Sequence, residues 1–286
     1  MKRPKSKYLL VLGFALSLPV VALTMVFITI DFPSARRTFA FGINPRGDIV
    51  GAYEDFSSVT HGYELRKGSF STIDFPGAVI TEAVKINSED EVAGWYENQE
   101  GGKFVTHGFE LRKGSFSTID FPNAIFTAAE DISDSEEIVG SYLDPSSMSH
   151  GFSLTHGSFS TIDFPSAIST EAFGISASGE IVGRYLDVSG TLHGFMLKDG
   201  TFSTVDFPGA ISTGALGINP RGDMVGTYSD ASFTEHGFSL SNGTFSTLDF
   251  PDAFFTEAVG INASGNIVGV YILASGATHG FEATKK

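Results

Sequence analysis

The stretch that decides the fold is Val26-Phe27-Ile28-Thr29-Ile30-Asp31-Phe32-Pro33, because its pattern returns five more times along the chain. Asp-Phe-Pro begins at 31, 74, 120, 163, 206 and 249, with spacings of 43, 46, 43, 43 and 43. His-Gly begins at 61, 107, 150, 193, 236 and 279, with the same spacings in the same order. The three extra residues fall within Glu97-Asn98-Gln99-Glu100-Gly101-Gly102-Lys103. Both flanks stay in register, which predicts an insertion in a surface loop. A fixed period of this length marks a repeat architecture.

Working outward from that segment, each unit reads as four short strands. The first is typified by Thr256–Asn262 and ends in a turn such as Asn44-Pro45-Arg46-Gly47-Asp48. The second is Ile49–Tyr53, the third Thr60–Leu65 and the fourth Ser69–Phe75, opened by the tight turn Arg66-Lys67-Gly68. Asn, Gly and Asp clusters between β-rich runs are hairpin chemistry, and nothing after the leader has capped helical periodicity. Four strands in about 43 residues is the size of a propeller blade. The chain stops after the third strand of unit six, and the missing fourth strand stands at 26–32. The prediction is an all-β, closed six-bladed β-propeller of four-stranded antiparallel blades, with the N-terminal strand 26–32 completing the last blade. Closure removes free sheet edges.

The strand at 26–32 also decides the reading of the leader. Lys2, Arg3, Lys5 and Lys7 precede an uncharged run from Tyr8 to Ile30, long enough to span a bilayer at ~18–20 residues. A strand of the folded body cannot also lie in lipid, so the apolar run that remains suits a secretory signal peptide of residues 1–22, cut after Ala22 behind Val20-Val21. Cleavage removes four positive charges and leaves −19 of charge on residues 23–286, a single domain. The expectation is a secreted, extracellular or periplasmic monomer without stable membrane insertion. The net charge of −15 argues against a nucleic-acid partner. The absence of cysteine excludes disulfides, zinc–thiolate sites and thiol nucleophiles, and no cofactor is expected.

The unit Gly-Ile-Asn-x-x-Gly-x-Ile-Val-Gly-x-Tyr followed by His-Gly-Phe resembles the bacterial extracellular HAF repeat family, in which a His-Ala-Phe triplet follows a similar run. Here glycine takes the middle place in all six copies, and Tyr63 replaces the phenylalanine once. The resemblance covers nearly all of residues 23–286. It implies an exported protein with propeller-like repeats and supplies no catalytic residues.

Seventeen of the 27 phenylalanines recur at equivalent places, which makes them core between blades, each burial being worth ~1.5–3 kcal/mol. His61, His107, His150, His193, His236 and His279 could in principle form a metal ring. A third-strand residue lies away from the axis, however, so they read as structural hydrogen-bonding histidines. The Arg-Gly-Asp triplets 46–48 and 221–223 fill a hairpin turn that other sequences fill elsewhere.

A function directed at one ligand must break the sixfold repeat. The loops between second and third strands vary, and loops on a rigid scaffold carry binding. Trp95 and Arg184 precede the recurring tyrosine and are suited to stacking on a sugar or gripping a carboxylate. In the inner strand Lys85 and Asp131 replace a glycine, with Glu130 alongside. Glu82, Glu171 and Glu257 stand near strand starts, together with Arg36 and Arg37. These ten residues are the candidate binding site at the axial mouth. No G-x-S-x-G, H-E-x-x-H or phosphate-loop motif is present. The reading is a binding module for an extracellular glycan or protein. The alternatives are a polysaccharide hydrolase or lyase using paired carboxylates at the mouth, and a structural envelope component.

Overall fold

Each repeat turns on an asparagine or serine that caps its own hairpin. Asn44 Oδ1 accepts the N–H groups of Arg46 and Asp48 at 3.0 and 2.9 Å, and Gly47 supplies the left-handed step at φ 84°. The computed structural model describes residues 25–285, so the expected leader at 1–22 lies outside the described residues. Six four-stranded antiparallel sheets follow one another. Blade one comprises Arg37–Ile43, Ile49–Glu54, Thr60–Arg66 and Ser69–Ile73, paired in that order from the axis outward. Every inner strand packs beside the inner strands of both neighbouring blades, and the first packs beside the last. This is a closed six-bladed β-propeller. Among the described residues no helix is long and apolar enough to cross a membrane.

Closure occurs at the expected strand. Met25–Ile30 pairs antiparallel with Thr278–Lys285, from Met25 opposite Lys285 to Ile30 opposite Gly280. The outer strands stop at Ile73 and its equivalents, or one residue sooner at Thr247 in blade five, about two residues earlier than the sequence suggests. The physical reason is the job of Asp-Phe-Pro, which joins two blades. Asp74 accepts from His61 Nδ1 in its own blade at 3.0 Å, while Phe75 stacks on Tyr96 of the next at 3.6 Å between centroids. Tyr96 in turn stacks on His107. The same triad recurs in all six blades, and in the last the N-terminal Asp31 meets His279 at 2.7 Å. The histidines therefore stand on third strands bound to aspartate, away from the axis. The core lies between blades, as Val50 of blade one packs with Ile86, Tyr96 and Phe109 of blade two.

The insertion in unit two is not a loop. It lengthens the hairpin, pairing Glu97 with Thr106 and Glu100 with Lys103 across a Gly101-Gly102 turn in which both φ are positive. The other variable loops keep one frame in blades one, three, four and five. There Asp55, Asp144, Asp187 or Asp230 accepts two loop N–H groups. The loops differ in side chains and not in backbone.

Candidate functional site

The site is built by a defect repeated six times. In each inner strand the register slips by one residue, between Ala40 and Gly42 in blade one and at the equivalent alanines elsewhere. A bulge inserts one residue and reverses the alternation beyond it. Phe41, Val84, Glu130, Phe173, Leu216 and Val259 are the inserted residues, and all six line one axial cavity of about 160 Å³ together with Glu82, Lys85, Trp95 and Glu257. The following isoleucine, Ile43 or Ile86, returns to the core.

Just beyond the bulge the blades come closest to the axis. A Cβ on Gly217 would stand 2.6 Å from Val259 O, and one on Gly260 2.6 Å from Phe41 O. Four blades keep glycine at this level, and Lys85 and Asp131 fill the space the glycines leave. Lys85 is buried and its Nζ donates to Val259 O and Phe41 O at 2.8 and 3.3 Å, spanning to two other blades. Asp131 accepts from the N–H groups of Ile132 and Ile175 at 2.8 and 2.9 Å. Lys85 thus borders both the upper cavity and a second cavity of about 90 Å³ on the turn face, which Asp131 also lines.

Among the described residues, no hydrogen bond or ion pair stabilises the carboxylates of Glu82, Glu130 and Glu257. Burial pushes Glu82 up to about 8, with Glu130 and Glu97 adding repulsion. Burial likewise raises Glu130 to about 7, with repulsion from Glu171 adding to it and attraction by Arg184 and Lys85 opposing it, and raises Glu257 despite Arg184. Asp131 is raised to about 6 by burial, against the pull of Lys85 and its two N–H donors. Lys85 is lowered by burial, against the attraction of Asp131 and Glu130. Charge in this channel is poorly solvated, and that is the physical source of every shift.

The remaining candidates do not line the cavity. Arg184 donates from Nε to Glu171 Oε2 at 2.6 Å and lies 5.1 Å from the Phe173 ring centroid, so this pair satisfies itself. Arg36 and Arg37 both bind Glu54, at 2.8 and 3.2 Å, on the rim of the mouth. The structure therefore brings Glu82, Lys85, Trp95, Glu130 and Glu257 to one cavity wall, leaves Asp131, Glu171 and Arg184 beside it, close enough for their charges to act on Glu130, and sets Arg36 and Arg37 on the rim with Glu54. Sequence reasoning missed the aromatic and aliphatic walls. The available signal was the broken alternation of the Ala-x-Gly-Ile run.

Exposed apolar side chains gather around the mouth. Among the described residues, ten of the twelve exposed large hydrophobic residues lie on the face carrying the second-to-third-strand loops. Phe56, Phe104, Met148, Val188 and Phe233 stand on the loops or the lengthened hairpin, with Phe56 78% and Phe233 82% exposed. Val79, Ile125, Ile168, Ile211 and Phe254 form an inner ring where the chain enters the inner strands. The opposite face is made of polar turns. There the Arg-Gly-Asp aspartate at 48 is only 5% exposed and accepts from Asn44 Nδ2.

No family model matches the chain, and no curated protein sequence matches it. Solved structures share the fold. A triple mutant of AofleA from Arthrobotrys oligospora is 13% identical at a TM-score of 0.52, with 92% of this chain and 84% of that chain covered. TolB from Acinetobacter baumannii is 9% identical at a TM-score of 0.57, covering 88% and 65%. A mutant Aleuria aurantia lectin in complex with Fucα1-6GlcNAc is 10% identical at a TM-score of 0.51, covering 86% and 91%. At these identities the likeness is one of fold.

Proposed function

We propose that this chain is an exported binding module, a His-Gly-Phe variant of the HAF-type repeats, that engages a polypeptide across its loop face. One observation carries the reading: exposed apolar side chains gather on a single face, in two rings around a mouth lined with unpaired acids. Apolar patches of this kind mark interaction surfaces, and acids at their centre favour a partner with a basic group. Catalysis by paired carboxylates is less well supported, because the raised acids face a chamber too small for a polymer chain.

The test is selection of peptides from a displayed library on the purified ring, with the triple variant Phe56→Ser, Phe233→Ser, Phe254→Ser as counter-target. Peptides enriched on the native ring and lost on the variant are expected. Equal enrichment on both would contradict the reading. A glycan partner is the second reading, favoured by Trp95 in the chamber wall and by lectins among the proteins of like fold. A glycan array on the same pair of proteins distinguishes it.

A further inference from the structure

We infer that the axial chamber is a receptor for a primary alkylammonium group, and, resting on the polypeptide reading above, that a lysine side chain of the partner is its source. The chamber holds about 160 Å³. At roughly 30 Å³ per water-sized atom that is room for about five heavy atoms, the size of an aminobutyl group. Its walls are Phe41, Phe173, Trp95, Leu216, Val84 and Val259. Aromatic and aliphatic walls suit a methylene stem, and aromatic faces attract a cation.

Three acids without partners face this space, and an ionised carboxylate held away from water without a partner is strongly disfavoured. The cations nearby are already engaged. Arg184 holds Glu171, and Lys85 donates to Val259 O and Phe41 O. Lys85 is also the internal precedent, since it shows that the axis accepts an ammonium delivered on an aliphatic stem. Among the described residues no three acids or imidazoles stand close enough to hold a metal ion.

Protons enter the balance. The charges of Glu130 and Glu97 act on Glu82; those of Glu171, Asp131, Arg184 and Lys85 on Glu130; and those of Arg184 and Glu235 on Glu257. Glu82 and Glu130, pushed up to about 8 and about 7, are partly protonated near neutral pH, and an ammonium binds their ionised form. Each acid it meets then releases its proton to solvent, and affinity rises with pH, by roughly tenfold from about pH 6 to about pH 8.

The test is titration of the full folded chain with n-butylamine at about pH 8, with 1-butanol as the neutral isostere. The amine is expected to bind about tenfold more tightly than the alcohol, and Glu82→Gln and Glu130→Gln each to weaken the amine about tenfold while leaving the alcohol unchanged. Unchanged alcohol binding shows that the variants are folded. Equal binding of amine and alcohol, or variants that bind the amine like the native chain, would overturn the inference. Neither result would touch loop-face docking, which the phenylalanine variants test. Nα-acetyl-lysine methylamide and glucosamine separate the sources. Retention of the amine's affinity by the lysine derivative alone supports a polypeptide. Retention by glucosamine alone would keep the ammonium site and overturn the polypeptide reading.

Discussion

The belt and the axis of this ring are built on opposite rules. In the belt every blade repeats one solution, in which aspartate holds histidine, histidine stacks on tyrosine, and tyrosine stacks on the phenylalanine that enters from the preceding repeat. Tyr96 also hydrogen-bonds Thr118 at 2.9 Å, and in the last blade Tyr271 meets Thr29 of the closing strand. At the axis the blades disagree, and the disagreements are charged groups with raised acids. Sixfold agreement stabilises the ring, and disagreement at its centre gives one ligand a place to bind.

Breaking the belt has the largest expected effect. Phe281 is fully buried between the closing blade and its neighbour, so Phe281→Ala is expected to lower stability by about 3–5 kcal/mol, read by urea unfolding. Binding by the fraction that remains folded should not change. Next comes Asp31→Ala, which removes the acceptor of the His279 bond that ties the chain ends. A loss of roughly 1–2 kcal/mol is expected. Hydrogen exchange should then rise first in residues 25–30 and 278–285, whereas Asp163→Ala in blade three should open no terminal strand.

The one lapse in the belt sharpens the comparison. Tyr63 takes the place of a phenylalanine and is fully buried, and its hydroxyl has no partner. Burial, with Asp31 nearby, pushes its ionisation far above the usual tyrosine range. Tyr63→Phe is therefore expected to stabilise the ring by about 1–2 kcal/mol, and a fall in melting temperature would contradict that.

The axis should respond in the opposite sense. Burial pushes folded Glu82 and Glu130 up to about 8 and about 7 from the ordinary glutamate value of 4.5, so the folded state holds protons that the unfolded state has lost. Their contribution is complete below about pH 4.5 and declines as pH rises towards about 8. Stability should fall over that window, and Glu82→Gln should flatten the slope. The change should be no more than roughly 1–3 kcal/mol, because the acids also touch the open channel. A native stability profile identical to that of the variant would remove Glu82 from this account.

The repeat made the ring legible. Asp-Phe-Pro and His-Gly at matched spacings fix blade number, and the orphan strand at the amino end fixes closure. The axis was legible only in part, because Glu82, Lys85, Glu130 and Glu257 announce themselves as departures from the repeat, while the bulge that turns Glu130, Phe41 and Phe173 inward is a property of backbone register. Arg184, Arg36 and Arg37 depart from the repeat equally, yet each finds a carboxylate close by. Pairing of that kind depends on strand register and side-chain reach, which spacing along the chain does not encode.

The most direct measurement is carbon NMR of the side-chain carboxyls of Glu82, Glu130 and Glu257 across a pH titration, with and without n-butylamine. The account predicts midpoints well above the ordinary glutamate range in the free protein, moving downward when the amine is added. Midpoints near the ordinary glutamate value of 4.5 that the amine leaves in place would contradict it.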